Sequence, residues 1–169
     1  MNTQKGATLA VSLLLLLVIT LLGVSAMQVT HMEEKMSSNL QDKLLSFSSA
    51  ESALRAGEKW VLNQPTEPKV HATCPSHPCV QERKYNIDFT QQNTSWWTAH
   101  SAVYPASLSD IATPPRYFIE FMQFIPDAPV VGSSSVKSTG VFYYQITARG
   151  TGATNDSVSI LQTTVARRY

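Results

Sequence analysis

Few side chains in this sequence have types and spacings that support chemistry. Cys74 and Cys79 are the only cysteines, set in the proline-stiffened run Cys74-Pro75-Ser76-His77-Pro78-Cys79. An even, local pair predicts a disulfide closing a small loop, which suits an oxidising compartment such as a periplasm. Such a bond contributes about 2 kcal/mol, acting mainly on the unfolded chain. His71 and His77 lie beside the pair, so His71, Cys74, His77 and Cys79 can also be drawn as a zinc set. Structural zinc more often joins two knuckles a dozen or more residues apart, and this cluster is compact. Free thiols are the third reading. Trp96-Trp97 is either a partner-binding patch, since tryptophan is enriched at hot spots, or the closure of a small core.

Catalysis finds no footing in these residues. There is no Gly-x-Ser-x-Gly elbow. The Gly150-Thr151-Gly152 segment has Asn155 where a dinucleotide fingerprint needs its third glycine. His31, His71, His77 and His100 are scattered along the chain. The expectation is therefore no enzyme, no cofactor and no metal. With a net charge of +1, a pI near 7.8 and no basic block longer than Arg167-Arg168, the clustered positive footprint of a nucleic-acid binder is also missing.

The elements that must carry these residues are unevenly built. Hydrophobic content is an ordinary 43%, yet residues 7–27 contain no Asp, Glu, Lys, Arg or His. As a helix they span about 31 Å, close to the hydrocarbon thickness of a bilayer. Lys5 on the amino-terminal side is a weak vote for placing that side in the cytosol. A secretory signal peptide is the rival, but its apolar region is usually about 7–15 residues and ends at a small-x-small site. Beyond Met27 the apolar or small positions are Met32, Met36, Leu40, Leu44, Phe47, Ala50, Leu54, Gly57 and Val61. Their mean step is about 3.6 residues, the α-helical period. Asn63-Gln64-Pro65 then stops the helix. The spacing predicts one rod over 7–62, about 84 Å if straight, with the Met36-to-Val61 stripe buried on the head.

If the first part is an anchor, about 110 residues remain for the head, near the low end of stable domain sizes. Residues 63–83 are loop-rich, and Lys84–Phe89 alternates as a first strand. Residues 90–115 form a polar flap that carries the Trp pair. Arg116–Ile125 is apolar on both faces, as a central covered strand would be. Residues 126–140 are an exposed loop. Val141–Arg149 alternates, with Phe142, Tyr144, Ile146 and Ala148 on one face. Ser157–Arg167 returns as the last strand, where a phase slip between Ile160 and Leu161 predicts a bulge or a two-sided strand.

Lys5-Gly6-Ala7-Thr8-Leu9, a short basic leader ending in Gly before an apolar helix, resembles the class III signal of type IV pilins and pseudopilins. Leu21-Leu22-Gly23-Val24-Ser25-Ala26-Met27, Glu33-Glu34-Lys35-Met36, Asn39-Leu40 and Ala50-Glu51-Ser52-Ala53-Leu54-Arg55-Ala56-Gly57-Glu58 are similar to the amino-terminal region of the PilX-type minor pilins. Tyr144-Gln145-Ile146-Thr147-Ala148-Arg149-Gly150-Thr151-Gly152 and Leu161-Gln162-Thr163-Thr164 resemble that family's carboxy-terminal hairpin. The middle of the chain has no counterpart in the resemblance.

The resemblance implies an α+β pilin-like lollipop, a long amino-terminal helix packed on a small antiparallel sheet. It divides the chain into a leader (1–6), a transmembrane half-helix (7–27), a periplasmic half-helix (28–62) and a head (63–169). The head holds the cysteine loop (71–80), the flap (90–115) and the sheet (84–167). It further implies cleavage after Gly6 by prepilin peptidase and N-methylation of Ala7. The implied partners are other minor and major pilins, the inner-membrane assembly platform, a tip adhesin and membrane lipid. The implied role is to prime or join the type IV pilus, supporting adhesion and twitching motility, first in the inner membrane with the head in the periplasm and then in the fibre or at its tip. Major pilins resemble one another in a Phe at the first mature position and a Glu at the fifth, thought to pair with a neighbour's amine. Those positions here are Ala7 and Val11, and Val11 cannot make that pair, which favours a place at the tip. A type II secretion pseudopilin and a single-pass, periplasm-facing binding module with an uncleaved anchor are the alternatives.

Overall fold

The computed structural model describes residues 7–84, 87–127 and 139–169. Helix α1 runs Ala7–Leu62 without a proline. The chain forms two compact units, one ending at Gln41 and the other comprising Asp42–Tyr169. In the first unit every described side chain is exposed.

The second unit contains the last turns of α1 and all the strands. They are β1 (Val70–His71), β2 (Val80–Glu82), β3 (Ala102–Val103), β4 (Arg116–Pro126), β5 (Gly140–Thr151) and β6 (Val158–Arg167), with helix α2 (Thr94–His100) before β3. They form one six-stranded sheet in the order β1-β2-β4-β5-β6, and β3 also pairs with β4. The β3–β4, β4–β5 and β5–β6 ladders are antiparallel. Those of β1–β2 and β2–β4 are parallel, so the sheet is mixed rather than antiparallel. The long loops on either side of β2 make this possible, because parallel neighbours cannot be joined by a tight turn.

Lys84–Phe89 is not a strand in its described residues, and Tyr85 and Asn86 lie outside them. The Asp88 carboxylate accepts from Thr90 N (2.9 Å), Thr90 Oγ1 (2.5 Å) and Gln91 Nε2 (2.9 Å). An aspartate that binds the backbone two residues on closes a turn instead of extending a ladder. The strand that does join β4 comes earlier, at Val80-Gln81-Glu82. The irregularity expected in the last strand is also elsewhere. The β5–β6 ladder is unbroken from Phe142↔Arg167 to Thr151↔Val158, and the register shift falls in β4 between Phe121 and Gln123.

One face of the sheet carries Tyr117 and Ile119 from β4 and Tyr144, Ile146 and Ala148 from β5, packed with Ala53 and Val61 of α1. Each large side chain buried here contributes about 1.5–3 kcal/mol. The helix meets the sheet through Ser46, Ser49, Ala50, Ala53, Gly57 and Val61. This corrects the expected stripe, since Leu44 and Phe47 remain 60% and 49% exposed, and Met36 and Leu40 are exposed as well. At about 100° per residue the buried face lies roughly a quarter turn from Phe47 and nearly half a turn from Leu44. Its residues are small because the backbones are close. A Cβ on Gly150 would stand 2.6 Å from both Ser46 O and Ser49 Oγ, and one on Gly57 would stand 2.7 Å from the Ile146 side chain. Apolarity alone pointed to the larger side chains, but only the small ones let the helix seat.

The other face is covered by α2. Asn93 caps this helix, its Oδ1 accepting from Trp96 N at 2.8 Å. Phe118 of β4 packs against Phe89 (ring centroids 5.7 Å) and Trp96 (5.9 Å), and Phe89 against Trp97 (5.9 Å). β4 is therefore apolar on both sides because both sides are covered.

Candidate assembly surface

The amino-terminal part of α1 is apolar and open on every side. Leu9, Leu13, Leu14, Leu16, Ile19, Leu21 and Leu22 are all exposed, and Val11 is 59% exposed. α1 is long and apolar enough to cross a membrane, by length and composition. Four of its hydroxyls are turned back on the helix itself. Ser12 Oγ donates to Leu9 O (2.9 Å), Thr20 Oγ1 to Leu17 O (2.9 Å), Ser25 Oγ to Leu21 O (2.9 Å) and Thr30 Oγ1 to Ala26 O (3.1 Å). An unpaired hydroxyl in an apolar medium costs several kcal/mol, and these internal bonds remove most of that cost. Ionisable side chains begin only at His31, whose Nδ1 lies 3.9 Å from Glu34 Oε2. Ala7 is the first described residue, and the Gly6 side of the expected cleavage point lies outside the described residues.

Where the second unit begins, Asp42 holds the β5–β6 turn. Its carboxylate accepts from Ala153 N (2.6 Å), Thr154 N (3.4 Å) and Thr154 Oγ1 (2.5 Å). The Thr154 hydroxyl bond, with help from the two amides, holds the Asp42 carboxyl below its ordinary range. Next to it Lys43 Nζ donates to Val158 O (2.5 Å), and Ser46 and Ser159 share a hydroxyl bond of 2.7 Å. At the other end of the helical segment, Arg167 donates to Val61 O (2.7 Å) and Gln64 O (2.5 Å). A guanidinium suits helix-terminal carbonyls, which carry partial negative charge.

Cys74 and Cys79 are joined by a disulfide, with their Cα atoms 6.0 Å apart. Cys74, His77 and Cys79 are close together, their ligand atoms within 4.8 Å of one another, but His71 does not belong to this group. With both sulfurs in the disulfide, thiolate ligation is not open to this loop. His77 Nε2 lies 3.2 Å from Ala99 O, which ties the loop to α2.

Trp96 and Trp97 divide between two roles. Trp97 is fully buried and closes the outer core, while Trp96 is half-buried and stacks on His100 (centroids 4.7 Å, planes 17° apart). They do not form a free aromatic patch.

The same face holds charged groups that sequence reasoning passed over. Glu120 is 2% exposed and accepts from Lys84 N at 3.0 Å. Burial raises its carboxyl above the ordinary range, opposed by that amide and by the charges of Arg83 and Lys84. Arg116 and Arg149 stand opposite each other in the β4–β5 ladder. Only the register of β4 and β5 brings together two residues more than thirty positions apart, and no local motif signals it.

An apolar helix fit to span a membrane, followed by a unit in which helix and mixed sheet share a core, is the α+β arrangement of pilin-like proteins. Two family models match the chain, PilX N-terminal over residues 5–55 and Type IV pilus assembly protein PilX C-term over residues 62–167. The chain belongs to the PilX family of type IV pilus assembly proteins. No curated protein and no solved structure matches it.

Proposed function

We propose that this protein is a minor pilin that primes or joins type IV pilus assembly and supports adhesion and twitching motility. The observation that carries the reading is the exposed apolar span of α1, in which the hydroxyls of Ser12, Thr20 and Ser25 are already satisfied. Such a helix can rest in lipid or among other helices, since both surroundings are apolar and association there depends on close packing. Before assembly it holds the subunit in the bacterial inner membrane with the head in the periplasm. Prepilin peptidase cuts after Gly6 and Ala7 is methylated. The subunit then exchanges lipid for the helices of minor and major pilins on the inner-membrane assembly platform. Val11, a neutral side chain where a major pilin carries an acid, supports a place at the filament tip beside an adhesin, because no charge there awaits a neighbour's amine.

The deciding measurement is the intact mass of the membrane-extracted protein, from wild type and from Gly6→Val. The expected result is a wild-type mass lacking residues 1–6 and carrying one methyl group, with the variant uncleaved. A wild-type protein that retains Met1 would overturn the pilin reading. For the tip assignment, Val11→Glu is expected to change pilus number or partner capture, and an unchanged count of both would refute it.

A further inference from the structure

Arg116 and Arg149 are Cα partners in the β4–β5 ladder, on the sheet face covered by α2. Like charges placed directly opposite repel. Solvent screens this pair poorly, since Arg149 is only 8% exposed and Arg116 is half-buried. Burial lowers the proton affinity of both groups, and for Arg149 the charge of Arg116 adds to the effect. All 12 Asp and Glu residues of the sequence lie among the described residues, and the ion pairs they form do not include either arginine. The nearest acid along the same face of β4, Glu120, accepts from Lys84 N instead.

The two guanidinium groups are not equivalent. Arg116 Nη1 donates to Ser101 O (3.3 Å), the residue that ends α2, so its position has a structural account. Among the described residues Arg149 has one side-chain hydrogen bond, from Nη2 to Thr94 Oγ1, at 3.5 Å. That bond is long and its acceptor is a neutral hydroxyl. A guanidinium presents five N–H donors in a planar fork that matches two oxygens of a carboxylate or phosphate. Most of the fork of Arg149 is therefore uncommitted, although its stem is packed inside the protein.

We propose that Arg149, with the Thr94 hydroxyl beside it and Arg116 opposite, is a binding site for an oxyanion, either a phosphate or a carboxylate. The fork takes two oxygens of the ligand, and the Thr94 hydroxyl turns to donate to it. The positive charge of Arg116 adds attraction without direct contact. The anion supplies the counter-charge that the chain does not place there. Charge-assisted bonds of this bidentate kind are about twice as strong as neutral ones. The site does not depend on the pilus assignment, since it rests only on the sheet and α2.

The test uses the full chain in an uncharged detergent. Binding of sodium phosphate and of sodium acetate is followed by titration calorimetry and thermal unfolding, with ionic strength matched by sodium chloride. Wild-type protein is expected to bind at least one oxyanion above the chloride baseline. Arg149→Met should weaken that binding about tenfold or more, through loss of a charged bidentate contact. Arg55→Met, on the exposed side of α1, should leave it unchanged. Arg149→Lys keeps the charge and most of the stem but lacks the fork, so it gives the same comparison if the methionine variant does not fold. A response to phosphate alone assigns a phosphoryl ligand, and a response to acetate alone a carboxylate. No binding above chloride in wild type, or equal binding in the Arg149 variants, would overturn the proposal.

Discussion

Gly150 is where helix and sheet come closest, and replacing it by alanine gives a direct measure of that contact. The new Cβ would lie 2.6 Å from Ser46 O and from Ser49 Oγ, and nearer still to Ala50 N. Ordinary carbon contacts are about 3.5–4.0 Å, so α1 must move off β5 by close to an ångström. Two of the three atoms are backbone, which no rotamer change can clear. Overpacking of a tight core costs about 1–3 kcal/mol, and the shift also loosens the Ser46–Ser159 hydroxyl bond of 2.7 Å. Against this, Gly→Ala lowers the entropy of the unfolded chain by an amount worth about 0.4–1 kcal/mol. The net expectation is a loss of about 1–3 kcal/mol, or roughly 3–10 °C in the melting temperature of the second unit. Near-UV circular dichroism of the detergent-solubilised chain reads this directly, because every tyrosine and tryptophan of the sequence falls within that unit. Gly23→Ala is the control, with nothing within 4 Å of its would-be Cβ; it should leave the melt unchanged. A Gly150→Ala protein that melts at or above wild type would refute the close-approach reasoning.

Arg167→Met removes a charged donor from Val61 O and Gln64 O and should cost about 1–2 kcal/mol, read as a lower urea midpoint with unchanged slope. Asp42 titrates below its usual 3.8 in the folded chain, so its contribution is fully present above that value and is lost as pH falls through the depressed folded value. Asp42→Asn should therefore lower the melting temperature at neutral pH and flatten its decline in acid. An unchanged acid profile would show that the latch on the β5–β6 turn carries no linkage.

The parts of the fold that were legible have a local cause. The charge-free run of residues 7–27 and the 3.6-residue period beyond it announce α1, and the alternation of Phe142, Tyr144, Ile146 and Ala148 announces the inner face of β5. What was not legible depends on contacts between distant segments. Leu44 and Phe47 continue the apolar stripe, but the face that seats is chosen by Ser46, Ser49 and Gly57, whose value is only their lack of bulk against Gly150 and Ile146. Val80-Gln81-Glu82 is short and ends in a charge, so nothing in it signals a strand that pairs in parallel with β4, whereas Lys84–Phe89 alternates convincingly and is diverted by the Asp88 turn. Likewise Trp96-Trp97 leaves a partner patch and the closure of a core both open until Phe89 and Phe118 are placed around it. Arg149 stood inside a motif singled out in the sequence, yet its lack of an acid partner becomes visible only when the strands are in register.

The hydroxyls of Ser12, Thr20 and Ser25 have a broader consequence. Because each is satisfied by the turn that precedes it, these positions can change their surroundings without making or breaking a hydrogen bond. The choice among neighbours there then rests on relief alone, on where side chains protrude and where small ones leave a notch. A surface of this kind recognises by contour and is indifferent to polarity. It can be handed from one apolar environment to another many times over with nothing to repair at each step.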